Sequence, residues 1–63
     1  MKVIYLGNST LMSELASKMG VSPGRVIQVG FEQLGFLLTV TEALAFERAK
    51  AVAEEFGFAV ERA

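Results

Sequence analysis

LMSELASKMGVSPGRVIQVGFEQLG, residues Leu11–Gly35, holds two helix starts and two helix stops, and its reading decides the fold. Leu11, Leu15 and Met19 recur at spacing four, with Met12 and Ala16 beside them. That pattern predicts one apolar face of a helix over about Thr10–Met19. Ser9 and Thr10 offer capping oxygens at its start, and Gly20 stands where a left-handed residue is wanted at its end. Glu14, Ser17 and Lys18 fall mostly on the opposite face, with Glu14 and Lys18 four apart in the favourable order. Ser22-Pro23 is the clearest helix start in the chain. Serine caps, and proline occupies the first helical position, where its missing N–H costs nothing. Val26, Ile27, Gly30, Phe31 and Leu34 follow at helical spacing, and Gly35 ends the helix. Gly30 costs roughly 1 kcal/mol relative to alanine inside a helix. It marks either the close approach of another backbone or a tolerated weak point.

Outward from this pair of helices, the chain is divided by glycines. Val3, Ile4, Tyr5 and Leu6 form a β-branched and aromatic run closed by Gly7-Asn8, which predicts a strand and a turn. Phe36–Val40 is a second strand candidate, apolar at nearly every position and broken by Thr41-Glu42. A third helix is predicted over about Ala45–Phe56, with Phe46, Ala49, Val52, Ala53 and Phe56 on one face. Glu47, Arg48, Lys50, Glu54 and Glu55 are mostly solvated there. After Gly57, Phe58-Ala59-Val60 reads as a last strand. The predicted order is β-α-α-β-α-β in a single domain over residues 1–63. Its class is α/β, more narrowly α+β, with three helices on one short three-stranded sheet. The expected core is Val3, Ile4, Leu11, Leu15, Met19, Val26, Ile27, Phe31, Leu34, Phe46, Val52, Phe56 and Val60.

Composition narrows the function. A chain of 63 residues buries a modest core, about 60% of its unfolded surface. There is no cysteine, so no disulfide framework or thiolate metal site is expected. Histidine is absent too, which removes the usual zinc ligand and the usual general base. All seven acidic residues are glutamates, scattered over helix faces. The adjacent Glu54 and Glu55 project about 100° apart on a helix, a poor geometry for sharing a proton or a metal. Ser9, Ser13, Ser17 and Ser22 have no base to activate them, and no glycine-rich phosphate loop is present. The expectation is therefore no enzyme, no catalytic residue, no cofactor and no metal. No apolar run approaches the length of a membrane span, and Met1–Gly7 lacks the features of a signal peptide. A cytoplasmic domain without a membrane partner is expected. The net charge of −1 predicts no strong electrostatic hold on nucleic acid.

Hydrophobic residues make up 52% of the sequence, more than the expected core uses. The excess is local. Val29 and the run Phe36-Leu37-Leu38 lie outside that core, and they form the candidate partner surface. Two binding readings follow from the residues themselves. One is a helix-turn-helix, whose second helix would present Arg25 and Gln28 to DNA bases. Val29 and Glu32, however, stand where phosphate-facing cations would help. A plain protein-interaction or self-association module using Val29, Phe31, Phe36, Leu37 and Leu38 is the other.

SELASKMGVSPGRVI (Ser13–Ile27) and LGFLLTVTEALAFERAKAVAEEFGFAVE (Leu34–Glu61) together resemble the N-terminal domain of bacterial translation initiation factor two. The resemblance covers about Leu11 to Glu61, and Val52-Ala53-Glu54-Glu55-Phe56-Gly57-Phe58 is its most specific part. It implies a compact α/β module that helps the factor engage the small ribosomal subunit, through ribosomal RNA or protein. It also implies attachment to the rest of a parent initiation factor, whose GTPase and initiator-tRNA parts lie elsewhere. The ending after the last strand, at Glu61-Arg62-Ala63, is the expected place for a domain boundary. The departures are specific. Thr41-Glu42 stands where that family usually has Asn-Gln, Ala45 where it usually has an aspartate capping the third helix, and Gln28-Val29 where it often has lysines. Alanine for a capping aspartate typically costs about 1 kcal/mol, unless Thr41 caps from upstream. The expected function is a non-catalytic, ribosome-binding and RNA-binding role in translation initiation. Lys18, Arg25, Arg48 and Lys50, cations on the helices, are the candidate contacts.

Overall fold

Short strands launch two of the three helices directly, with no loop between. The computed structural model describes residues 2–63. In chain order the elements are β1 (Lys2–Leu6), β2 (Ser9–Leu11), α1 (Met12–Met19), α2 (Pro23–Leu34), β3 (Ala43–Ala45), α3 (Phe46–Glu55) and β4 (Phe58–Arg62). The α+β class with three helices is as expected. The single three-stranded sheet is not: the described residues form two sheets of two strands each, β1 with β4 and β2 with β3.

β1 and β4 run parallel, in the register Lys2↔Phe58 through Leu6↔Arg62. Parallel neighbours need a long crossover, and here nearly the whole chain supplies it. β1 alternates: Ile4 and Leu6 turn into the core while Val3 and Tyr5 face outward. Val3 therefore leaves the expected core, because a strand with one buried face cannot bury successive residues.

β2 and β3 run antiparallel, pairing Ser9↔Ala45, Thr10↔Leu44 and Leu11↔Ala43. Neither strand was expected. Thr10 and Leu11 fall in the first helix expected from the sequence and Ala45 at the start of the third, while Ala43-Leu44 fall in no expected element. The ladder continues one residue past each strand, into the first turn of the helix that follows. The Met12 N–H donates to the Glu42 carbonyl at 2.8 Å, and the Phe46 N–H to the Asn8 carbonyl at 3.1 Å. Each strand thus satisfies one orphan amide at the start of the other strand's helix. This explains how α1 and α3 start from Leu11 and Ala45, which make no side-chain cap. Thr41 does not substitute as the cap of α3. Both helix starts depend on the same long-range pairing.

α2 begins as its sequence predicts. Ser22 Oγ accepts the Arg25 N–H at 3.2 Å, and Pro23 fills the first helical position. α1 closes with Gly20 at φ +71°, where the Gly20 and Val21 amides reach back to the Ser17 and Ala16 carbonyls. That is the Schellman pairing.

The core is Ile4, Leu6, Met12, Leu15, Ala16, Met19, Val26, Leu38, Leu44, Ala49, Val52 and Ala53. Ile27, Leu34, Phe46, Phe56 and Val60 pack partly buried against it. Leu11 and Phe31 stay exposed, against expectation. Leu11 lies on the outer side of β2, and the buried line of α2 runs through Val26 and Gly30, four residues apart and one position before the Ile27–Phe31 line.

The largest departure is Phe36–Val40, which is no strand. Gly35, at φ +73°, turns the chain back: the Gly35 N–H donates to the Phe31 carbonyl and the Phe36 N–H to the Gly30 carbonyl. This brings Leu38 onto α2, where it is only 6% exposed. A β-carbon added at Gly30 would lie 2.7 Å from Leu38 Cδ1 and 3.5 Å from its Cγ. Gly30 is therefore the notch that seats the Leu38 side chain, rather than a site of backbone approach. Leu38 accordingly leaves the candidate partner surface and joins the core.

Two stability predictions follow from these contacts. Ala45→Asp supplies the missing cap at an exposed position, and is expected to stabilise by about 1 kcal/mol. A thermal melt followed by circular dichroism should rise by roughly 4–8 °C, as for domains of this size; an unchanged melt refutes the reading of Ala45 as an uncapped start. For the notch, Gly30→Ala adds helix propensity worth about 1 kcal/mol but overpacks Leu38 at a cost of about 1–3 kcal/mol. A net loss of about 1 kcal/mol is expected by difference. In a Leu38→Val background the same change should become neutral or favourable, with the coupling read from a double-mutant cycle in urea.

Candidate interaction surface

The predicted contact residues can now be placed. Lys18 lies in the last turn of α1 and Arg25 in the first turn of α2, so the two flank the turn at residues 20–22, and both are exposed. Arg48 and Lys50 lie on α3. Two positions apart on a helix means about 200° of rotation, so they cannot share a face. Lys50 is half-buried, and Arg48 is exposed. Lys18 and Arg25 flank one turn while Arg48 and Lys50 point to different sides of α3, so the four cations do not form one patch.

Arg48 is engaged within the chain. Its guanidinium carbon sits 4.5 Å from the centre of the Phe36 ring, and its Nη1 is 4.0 Å from Glu42 Oε2. Glu42 does more than pair with it. Its Oε1 accepts the Thr39 N–H at 3.2 Å, its own N–H donates to the Thr39 carbonyl, and its carbonyl receives the Met12 N–H. The loop after α2 is thus anchored at Leu38 by burial, at Phe36 by stacking and at Thr39 by a carboxylate. A glutamate at this position gives the turn an anionic acceptor and Arg48 an opposite charge. Arg62 is held in the same way. Its guanidinium carbon lies 4.0 Å over the Phe46 ring, and its Nη1 donates to Asn8 Oδ1 at 2.6 Å. Exposed cation–π pairs contribute about 0.5–1 kcal/mol each. Lys18 and Arg25 make no side-chain hydrogen bond or ion pair among the described residues, so their charges face solvent.

The apolar excess divides differently from the expected set. Val29 and Phe36 are half-buried, Leu38 is core, and Leu37 is 78% exposed. Phe31, on α2, is 58% exposed, and Val40 lies open in the loop that follows. A second exposed apolar area is Val3 and Tyr5 on the outer face of β1. Phe31 and Val3 belong to the core expected from the sequence. Val3–Leu6 is apolar throughout and the charged Lys2 is in phase with Ile4 and Leu6, so no alternation in the sequence marks Val3 as outward.

The described residues contain no group of three or more histidine, cysteine or acidic residues arranged to hold a metal ion. Among them, no helix is long and apolar enough to cross a membrane.

With this geometry in hand, likeness to known proteins is informative. A family model described as "Translation initiation factor IF-2, N-terminal region" matches residues 13–59. The chain is 38% identical over 61 residues to translation initiation factor IF-2 of Caldanaerobacter subterraneus subsp. tengcongensis, across 97% of this chain and 8% of that protein. It is 42% identical over 60 residues to translation initiation factor IF-2 of Pelotomaculum thermopropionicum, across 95% of this chain and 6% of that protein. A third relative, from Desulfovibrio desulfuricans, is 40% identical over 52 residues, 82% of this chain and 5% of the relative. The chain therefore spans less than a tenth of the length of these relatives. By the extent of the family match, the chain belongs to the N-terminal region of translation initiation factor IF-2.

Proposed function

We propose that this chain is a non-catalytic accessory domain that adds binding energy to the association of its parent initiation factor with the small ribosomal subunit, in the cytoplasm. Family membership supplies the setting. The observation that carries the contact assignment is electrostatic: Arg48 and Arg62 are occupied by aromatic rings and acceptors within the chain, while Lys18 and Arg25 stand exposed on either side of one turn. Cations left free in this way are the ones available to neutralise phosphate, and each phosphate neutralised releases counterions. Two such residues give a weak, salt-sensitive contact rather than a tight one, consistent with a net charge of −1. The non-catalytic part of the proposal rests on the residue inventory, which has no histidine, cysteine or aspartate.

The test is co-sedimentation of the chain with small ribosomal subunits over a salt series. Lys18→Glu and Arg25→Glu together should weaken binding and flatten the plot of log affinity against log salt by about one for each phosphate contact removed. Arg48→Glu should change it less, since that guanidinium is already committed to Phe36 and Glu42. Unchanged binding in the Lys18/Arg25 double variant refutes the contact assignment.

A further inference from the structure

We draw no further inference here: the strongest candidate, the exposed apolar surface of α2 and the loop that follows it, with Phe31, Leu37 and Val40, carries nothing because nothing in the structure shows what covers it.

Discussion

The pairing of Ser9–Leu11 with Ala43–Ala45 is the constraint on which the other elements depend. It is three residues long, yet its hydrogen bonds extend into α1 and α3. Through it, one ladder sets where two helices begin, how they are offset and which of their faces meet. Met12 and Leu15 of α1 and Ala49 and Val52 of α3 are fully buried as a result. The chain closes a second time where β4 returns to lie beside β1. A domain this small has little surplus burial, so two separate long-range pairings restrict its alternatives more than one larger sheet edge would.

The loop between α2 and β3 shows how a segment without regular structure is kept in place. Leu38 sits in the notch left by Gly30, Phe36 lies under Arg48, and Glu42 closes the turn at Thr39 while its carbonyl serves α1. These are different kinds of interaction on neighbouring residues: dispersion, cation–π and charge-assisted hydrogen bonding. Together they leave Leu37 outside and Leu38 inside. They also divide the cations of the domain into two sets, those committed internally and those free to meet a partner. Sequence position alone does not reveal that division, since Arg48 and Lys18 look alike as helix-borne charges.

Much of the architecture was legible from residue order. The caps of α2 were readable because they are local: Ser22, Pro23 and Gly35 act on backbone atoms within a few residues of themselves. The three helices and the two outer strands announced themselves by period and composition. β2 and β3 did not. Ser9 and Thr10 resemble cap residues, and alanine has low strand preference, so only the partner some 34 residues away makes either a strand. Phe36–Val40 misled for the converse reason. Its residues favour strands, but the turn at Gly35 sends the chain back onto α2, where Leu38 is buried. Lys18, Arg25, Arg48 and Lys50 are readable in the sequence as helix-borne cations, but the internal roles of Arg48 and Arg62 needed Phe36 and Phe46 placed beside them.

By itself, then, the sequence determined the α+β class, the number of helices, the capped start of α2, the pairing-competent outer strands and the family to which the chain belongs. Each rests on local periodicity, on short-range hydrogen bonding or on direct residue identity. Only the tertiary structure decided the split into two sheets, the uncapped starts of α1 and α3, the burial of Leu38 and the exposure of Phe31 and Leu37. Those outcomes depend on contacts between residues distant in the chain. Local preferences of a few tenths of a kcal/mol per residue yield there to the burial of whole side chains, worth about 1.5–3 kcal/mol each.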